Sequence, residues 1–390
     1  MGGASTMISM KMSTMLRTLA AVMVLTASQA SAGTGDWTQY GFTADGRRNN
    51  TQETILGRKT VAQLTPKWSA NIPVGTSSAA VANGIVYVGS TDNHLYAFDA
   101  KTGAPVWQAA TGASIVSSPA VDNGVVYVGS NDGRVYAFDA ETGAVRWSTQ
   151  IGTPNHNLVE SPVAVAGDLV YAGTTDGNLF ALSAGTGTVK WTKTFVFSGE
   201  ALAPAVAHGI VYFVNDWAGE VDALDAKTGA SLWMQRTSMY GFINSPAVDR
   251  GVIYRKDANG IISALDAITG VERWHTTIRG IDEGSFAIGK GHVYTASGNA
   301  MLSDVNTATG TVKYDLFTHQ GVVAAPALAN GVLYVGSWYS QGAFSVSAYD
   351  TANGKLLWSA ATDKINAAAT VSNGMLYVGS ASQFTAYGLP

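Results

Sequence analysis

A small group of acidic, amide, basic and aromatic side chains could do chemistry in this chain. Carboxylate and amide oxygens suit a hard cation such as calcium, which makes Glu160 and Asn244 the candidate metal ligands. An indole ring can stack on a planar ligand or anchor a protein partner, and an ammonium group can pair with a ligand carboxylate. The candidate site residues are Glu160, Glu200, Trp217, Asn244, Lys256, Glu283 and Trp338.

Other kinds of site find less support in the sequence. No Ser-His-Asp order and no metal-ligand spacing stands out, and His156 and His319 are scattered. The recurring aspartates match no calcium-loop spacing. A carboxylate pair such as Glu160 and Glu200 would suit glycoside hydrolysis only at a separation that sequence does not give. The alternative to a binding site also stays open, namely a polar rim whose members bond loop backbones.

The candidates stand out because they interrupt a repeat of about 40 residues. A tyrosine in a Gly-x-x-Tyr or similar motif recurs every 40 to 44 residues, and another aromatic residue follows about 20 positions later in most units. The tyrosines are Tyr87, Tyr127, Tyr171, Tyr212, Tyr254, Tyr294, Tyr334 and Tyr377. The second series is Trp107, Trp147, Trp191, Trp233, Trp274, Tyr314 and Trp358, with Trp68 before them all.

Each unit divides into four short strands separated by turns. In the second unit the strands are "VSSPAV", "VVYVGS", "RVYAFDA" and "AVRWST", and "DNG", "NDG" and "ETG" lie between them. Asn and Asp bond their own backbone and Gly accepts a positive φ, so these are hairpin turns. Four antiparallel strands per unit predict the blades of an all-β propeller, with the repeated aromatics packed between adjacent blades.

The two ends of the chain predict eight blades. Seven units run from first to fourth strand, and the C-terminus adds "NAAATV", "MLYVGS" and "QFTAYGL". The missing fourth strand is present near the N-terminus as "PKWSANI", residues 66–72. Pairing the two termini in one sheet would close the ring and remove its exposed edges.

Strand order places the candidate site on one face of the predicted propeller. The links from fourth to first strand and the loops from second to third strand share that face, opposite the "DAxTG" turns, and should surround the channel mouth. Glu160 in "VESP" and Asn244 in "INSP" occupy the same place relative to a proline, and both replace Ser117 of "VSSP". Trp217 and Trp338 lie off the packing register, and Lys256 stands where "VGS" becomes "RKD". We expect the candidates to converge at this mouth.

The N-terminus has the features of a secretory signal peptide. Lys11 and Arg17 precede the apolar run "LAAVMVLTA", and "ASA" ends at Ala32 as a cleavage site. We therefore expect a signal peptide at residues 1–32, a lead-in at 33–65, a propeller at 66–390, and a periplasmic or secreted protein. Nine apolar-type residues are too few to span a bilayer.

Composition limits the partners. Hydrophobic residue types make up 46% of the chain and charged ones only 13%, with 44 glycines, which suits a turn-rich all-β fold. The predicted mature chain has 21 basic and 27 acidic side chains, which argues against a nucleic-acid partner. The chain has no cysteine, so we expect neither disulfides nor a lipid anchor. We expect a monomer that binds a protein or a small molecule.

The unit "VYVGSNDGRVYAFDAETGAVRW" resembles the repeat of pyrroloquinoline-quinone (PQQ) propellers, and residues 36–68 resemble the segment that precedes the first blade in exported members. The resemblance implies either a quinoprotein dehydrogenase, which binds PQQ with calcium or a lanthanide, or a BamB-type factor, which binds protein partners and no cofactor. Those dehydrogenases are longer, carry a vicinal cysteine pair, and hold the metal with a loop glutamate. The loop "GSWYSQGAF" contains no acidic residue. An exported binding or assembly platform is therefore our first hypothesis, and a small PQQ- and metal-dependent dehydrogenase of alcohols or sugars is the alternative.

Overall fold

A computed structural model describes residues 35–154, 156–195, 202–215, 219–236, 244–280, 286–318, 321–322, 324–338 and 342–390. Apart from a 3-10 turn at Val61–Gln63, the regular elements of these residues are strands. None of the described helical residues forms a segment long and apolar enough to cross a membrane. In chain order the strands are β1 (Asn49–Asn50), β2 (Thr65–Ala70), β3 (Ala80–Ala82), β4 (Ile85–Gly89), β5 (His94–Asp99), β6 (Pro105–Ala110), β7 (Ala120–Asp122), β8 (Val125–Gly129), β9 (Arg134–Asp139), β10 (Val145–Gln150), β11 (Ala164–Ala166), β12 (Leu169–Gly173), β13 (Leu179–Ser183), β14 (Val189–Lys193), β15 (Ala205–Ala207), β16 (Ile210–Asn215), β17 (Glu220–Asp225), β18 (Ser231–Arg236), β19 (Ala247–Asp249), β20 (Val252–Lys256), β21 (Ile261–Asp266), β22 (Glu272–Thr277), β23 (Phe286–Gly289), β24 (His292–Ala296), β25 (Met301–Asn306), β26 (Val312–Phe317), β27 (Gly321–Val322), β28 (Ala327–Ala329), β29 (Val332–Trp338), β30 (Phe344–Asp350), β31 (Leu356–Thr362), β32 (Thr370–Ser372), β33 (Met375–Gly379) and β34 (Phe384–Gly388).

The described strands form eight antiparallel blades, as the repeat predicts. Blades 1 to 6 are β3–β6, β7–β10, β11–β14, β15–β18, β19–β22 and β23–β26. Blade 7 is β28–β31, with β27 paired to β29 and the two-residue β1 added in parallel to β28. Blade 8 is β32–β34 completed by β2.

The repeated aromatics fasten each blade to the next. In blade 2 the rings of Tyr127 and Trp147 lie 5.8 Å apart, and both donate to the carbonyl of Ala184 in blade 3, at 3.2 and 2.9 Å. Gly187 follows with a φ of 71°, and a Cβ there would lie 2.6 Å from the Trp147 ring. The turn therefore requires glycine for conformation and for space. The prediction that these aromatics pack between blades is confirmed.

The same pair of bonds recurs at most blade junctions. The tyrosine, tryptophan and shared acceptor are Tyr87, Trp107 and Ala140; Tyr171, Trp191 and Ala226; Tyr212, Trp233 and Ala267; Tyr254, Trp274 and Thr307; and Tyr377, Trp68 and Ala100. In blade 6 Tyr314 replaces the tryptophan and donates to the carbonyl of Thr351 at 3.3 Å.

The predicted closure of the ring is confirmed. Strand β2 pairs antiparallel with β34, from Thr65 opposite Gly388 to Ala70 opposite Phe384. The strand runs over Thr65–Ala70 rather than 66–72, because the chain bends after Ala70 and buries Ile72 in the core. The missing turn of blade 8 is replaced by the lead-in, since Trp358 Nε1 donates to the carbonyl of Leu64 at 3.1 Å.

The two ends of the channel are built differently. On one face, each described third-to-fourth-strand turn bonds the first-to-second-strand turn of its own blade, as Ala140 N–H does with the carbonyl of Gly124 at 3.0 Å. We call this the turn face. On the other face, second-to-third-strand loops bond fourth-to-first-strand links, as Asn131 N–H does with the carbonyl of Ser114 at 2.9 Å. We call this the loop face.

Residues 36–53 of the lead-in run around the inner edges of the blades. They contact the middle of the innermost strand of each blade in turn, and they also bond turn-face residues such as Asn83, whose N–H donates to Asp36 Oδ2 at 2.8 Å. Blade by blade, the contacts are Val81 N–H to Trp37 O (2.7 Å), Val121 N–H to Thr38 O (2.7 Å), Val165 N–H to Gln39 Oε1 (3.0 Å), Val206 N–H to Ala44 O (2.7 Å), Val248 N–H to Asp45 O (2.8 Å), Ile288 N–H to Arg47 O (2.9 Å), Leu328 N–H to Arg48 O (2.9 Å) and Asn50 Nδ2 to Val371 O (2.8 Å). The lead-in therefore satisfies inner-edge backbone groups that a bare propeller would leave facing the channel.

Arg48 anchors the lead-in. Its side chain is buried, with 1% of the residue exposed, and its guanidinium donates to the carbonyls of Pro326 and Ala369, both at 2.8 Å, and to that of Tyr40. The rings of Trp37 and Tyr40 lie 5.3 and 4.5 Å from it, within cation–π range. Burial lowers the pKa of Arg48, against the opposing effect of Tyr40. One cation therefore joins blades 7 and 8 to the lead-in.

Candidate functional site

Glu160 lies on the loop face, in the link between blades 2 and 3. Its carboxylate is half-buried and accepts a hydrogen bond from Asn131 Nδ2 at 2.9 Å. Asn131 belongs to the loop between β8 and β9, so the bond joins the two kinds of segment that make up this face. The carboxylate thus has a structural partner and remains partly open to solvent.

The proposed equivalence of Glu160 and Asn244 is wrong. In blade 2, Ser117 Oγ accepts the N–H of Gly129 at 3.3 Å, and in blade 3 the same bond is made by Ser161 to Gly173 at 3.2 Å. Asn244 Oδ1 accepts the N–H of Lys256 at 3.3 Å in blade 5. Ser161, not Glu160, is therefore the counterpart of Asn244. The spacing from this residue to the first strand is the same in the three blades, but Pro162 stands one position earlier relative to its strand than Pro119 and Pro246 do, so alignment on the proline misplaces the glutamate.

Asn244 and Lys256 lie together at the loop-face end of blade 5. Both are buried, with 1% and 0% of the residue exposed. Lys256 occupies a position that is glycine in blades 1 to 3, 7 and 8. In blade 2 the reason is space, because a Cβ on Gly129 would lie 2.4 Å from Val159 Cγ1 of the next link. A lysine at this position replaces close packing with a buried cation.

The neighbours of Lys256 are also charged. Arg255 and Asp257 are buried, with 3% and 5% of each residue exposed. Burial lowers the pKa of Arg255, and the carboxylates of Glu272 and Asp257 act in the opposite direction. The end of β20 therefore places two cations and one carboxylate at the edge of the loop face.

Trp338 is the last residue of β29, the seven-residue second strand of blade 7. It pairs with Phe344 and with Gly321, and a Cβ on Gly321 would lie 2.3 Å from Trp338 Nε1. The ring stays 38% exposed. Phe317, at the end of the fourth strand of blade 6, is 60% exposed. The loop-face edge of blades 6 and 7 thus carries two aromatic side chains that the blades do not bury.

Three predicted site residues, Glu200, Trp217 and Glu283, fall outside the described residues, as does His319. The structure brings Asn244 and Lys256 together, pairs Glu160 with Asn131, and places Trp338 on a separate blade. Convergence of the whole set at the loop-face mouth therefore stays a prediction.

The described residues do not fit a metal-bound quinone. Among them, no three His, Cys, Asp or Glu side chains are grouped so that they could hold a metal ion. The proposed oxygen donors are already engaged, since Glu160 accepts from Asn131 and Asn244 accepts from the backbone of Lys256. These two donors also belong to different links and different registers. We therefore derive no step through PQQ and calcium.

A cavity on the turn face was missed by sequence reasoning. It measures about 380 Å³ and lies between the lead-in and the inner parts of blades 5, 6 and 7. Arg250 and Lys290 belong to its lining, and each stands before the glycine of a first-to-second-strand turn. Four other blades have asparagine at this position, so a comparison of the Asn-Gly turns along the sequence would have revealed the change.

These features define an eight-bladed propeller of the PQQ-repeat type, with an intramolecular lead-in along the channel. The chain belongs to the family described as outer membrane protein assembly factor BamB, whose model matches residues 24–274 and 258–387. A search of curated proteins by sequence finds no match.

Solved structures of two functional classes share the fold. BamB from Moraxella catarrhalis is 21% identical with a TM-score of 0.70, over 84% of this chain and 98% of that one. A europium-containing methanol dehydrogenase is 15% identical with a TM-score of 0.76, over 92% and 98%. A quinohemoprotein alcohol dehydrogenase from Comamonas testosteroni is 16% identical with a TM-score of 0.75, over 92% and 82%. At these identities the similarity shows the fold alone.

Proposed function

We propose that this protein is an exported binding platform that docks a protein partner on its loop face, in the assembly of outer-membrane proteins. The observation that carries the proposal is the asymmetry of the two faces. The lead-in occupies the inner edges of the blades and bonds turn-face residues, whereas the loop face carries the exposed ring of Trp338 and the buried charges around Lys256.

The chemistry of the loop face supports a protein partner over a metal-bound cofactor. Tryptophan is among the side chains that most often become hot spots of protein interfaces, and phenylalanine is also enriched in such interfaces. Trp338 and Phe317 stand on adjacent blades with 38% and 60% exposed. Glu160 and Asn244, in contrast, already accept hydrogen bonds from Asn131 and from the backbone of Lys256.

Export is part of the proposal. The basic residues, apolar run and small-residue site in residues 1–32 have the pattern of a signal peptide, and the matching family is named for outer-membrane protein assembly. A periplasmic location would give the platform access to such partners.

Site-specific photo-crosslinking in cells tests the docking face. A photoreactive residue replaces Trp338 in one variant and Lys101 in the other, because Lys101 is an exposed residue of a turn-face turn in blade 1. We expect a discrete crosslinked adduct with one envelope protein from position 338 and none from position 101. No adduct from position 338, or the same adduct from both positions, would contradict the proposal.

A quinone titration separates the two functional classes of this fold. Wild type and Glu160→Ala are mixed with PQQ and calcium, and bound-quinone absorbance is measured after removal of free quinone. We expect neither protein to retain quinone. Retention by wild type that is lost in Glu160→Ala would refute the platform and support a PQQ-dependent dehydrogenase.

A further inference from the structure

The cavity of about 380 Å³ on the turn face lies on the other side of the molecule from the proposed docking surface. Its floor is the lead-in, and its walls come from the first-to-second-strand turns of blades 5, 6 and 7. Its volume falls within the roughly 300–1,000 Å³ that small-molecule sites occupy.

The lining carries three cations and two carboxylates, and so has a net formal charge of one positive unit. Arg47, Arg250 and Lys290 face two carboxylates, and both carboxylates are already engaged. Asp249 pairs with Arg47 at 3.2 Å and with Arg250 at 2.9 Å, while Glu53 accepts the backbone N–H groups of three residues at 2.7 to 3.0 Å. The acidic groups therefore hold the walls in place.

The cations retain hydrogen-bonding capacity. Within the described residues, the side chain of Arg250 bonds through Nε alone, to Asp249 at 2.9 Å, which leaves its two terminal nitrogens available. No described residue accepts a hydrogen bond from the ammonium of Lys290 or pairs with it. A guanidinium fork and an ammonium on adjacent blades form a recognition pair for an oxyanion.

Arg250 and Lys290 adopt a backbone conformation that is unfavourable for long side chains. Both have a left-handed backbone, with φ of 48° and 52°, a region that asparagine and glycine adopt far more readily than long side chains. The same turn position holds asparagine in blades 1, 2, 7 and 8, at Asn83, Asn123, Asn330 and Asn373, with φ between 45° and 52°. Local stability therefore favours asparagine, and the two cations stand at the cavity despite it.

The remaining lining groups indicate what else the ligand carries. Asn330 contributes an exposed amide and Thr51 an exposed hydroxyl, while the buried side chains of Tyr294 and Thr351 lie behind them in the wall. An amide and a hydroxyl exchange hydrogen bonds with the hydroxyls of a ligand. We propose that this cavity binds a small hydroxylated organic anion, whose acidic group pairs with Arg250 and Lys290. The acidic group is a carboxylate or a phosphate, as in a sugar acid or a sugar phosphate.

Calorimetric titration with three probes tests the ligand class. Glucuronate carries the carboxylate, glucose 6-phosphate carries the phosphate, and glucose carries neither. We expect saturable binding of at least one of the two acids, weakened by added salt because the pairing is ionic, and no binding of glucose. The acid that binds identifies the anionic group. Binding of neither acid, or binding of glucose equal to that of the acids, would overturn the proposal.

The repeat supplies matched variants for this experiment. Arg250→Asn and Lys290→Asn introduce the residue that four other blades use at this turn, so each variant should melt at or above the wild-type temperature. His208→Asn makes the same change in blade 4, where the residue has φ of 53° but does not line the cavity.

We expect Arg250→Asn and Lys290→Asn each to weaken binding of the acid about tenfold, as the loss of a charge-assisted pair should. His208→Asn should bind like wild type. Unchanged binding in both cavity variants, or an equal loss in His208→Asn, would place the anion elsewhere and refute the site.

Discussion

Replacing Arg48 with methionine should loosen the lead-in from the last two blades and lower the stability of the whole ring. The guanidinium donates to the carbonyls of Pro326, Ala369 and Tyr40. Methionine keeps most of the apolar contact of the arginine stem but none of its donors. Arg48 itself has a φ of 49°, and methionine retains that backbone strain, so the loss reports on the guanidinium.

The expected magnitude follows from these contacts. Hydrogen bonds to a charged donor contribute about 1.5–3 kcal/mol each, and a desolvated cation–π contact adds up to about 2 kcal/mol. The burial of the arginine charge offsets part of this sum, which brings the loss to the roughly 3–5 kcal/mol typical of a broken buried interaction. With an unfolding entropy of about 2.1 cal/mol/K per residue over roughly 350 residues, the melting temperature should fall by about 4–7 °C.

Thermal melting followed by far-UV circular dichroism measures this loss, with Arg146→Met as the control. Arg146 pairs with Asp139 at 2.7 Å, but its side chain is 45% exposed, and exposed pairs contribute about 0–1 kcal/mol. The control should therefore melt within about 1 °C of wild type. An Arg48→Met protein that also melts within that margin would refute the anchoring role, and so would an equal fall in both variants.

Three further predictions concern closure, packing and pH. Removing residues 33–72 takes away β2 and the lead-in, so the truncated protein should aggregate or melt far below the parent; a parental melting temperature would refute the closure. Trp147→Ala should lower chemical-denaturation stability by about 3 kcal/mol and Trp338→Ala by less than about 1 kcal/mol, because only Trp147 lies between blades; equal losses would refute the distinction. Burial raises the pKa of Asp222 from its usual 3.8 to about 6, so its ionisation disfavours folding as pH rises from about 4 to 6, and the penalty persists above that range. Asp222→Asn should therefore raise the melting temperature at pH 7.5 and not at pH 4. In Asp139, bonding to Arg146, to the Thr142 hydroxyl and to the backbone N–H groups of Glu141 and Thr142 lowers the pKa to about 2, and Asp139→Asn, which weakens all these bonds together, should lower the melting temperature at pH 7.5; shifts of the same sign in both variants would contradict this assignment.

The fold could be predicted because one local rule recurs along the chain. Tyr127 and Trp147 bond one carbonyl of the next blade, and the same spacing in other units implies the same junction. The closing strand followed from counting, since the C-terminal unit lacked a fourth strand and Trp68 was present without a unit of its own. Both inferences followed from comparing the units of the repeat with one another, without information on which distant residues are in contact.

The lead-in and the exact register of the links could not be predicted in this way. Residues 36–53 follow no repeat, so the sequence contains no internal comparison that would place Arg48 beside Pro326. The error at Glu160 has a similar origin. The units were aligned on a proline, whereas the hydrogen bond from Gly173 N–H to Ser161 Oγ shows that Ser161 is the equivalent residue. A backbone contact that recurs in three dimensions identifies equivalent residues more reliably than a residue type that recurs in sequence.

Departures from a repeat therefore differ in what they imply. Tyr314 replaces a tryptophan and still bonds the next blade, and Asn244 replaces a serine and still accepts the same kind of backbone N–H, so packing accounts for both. Arg250 and Lys290, in contrast, stand at left-handed turn positions that favour asparagine, and the large side chain of Trp338 is partly exposed to solvent. The contacts of the repeat do not account for these last three residues. We propose that they mark two surfaces, one on each face, where selection for binding explains the sequence better than selection for the fold.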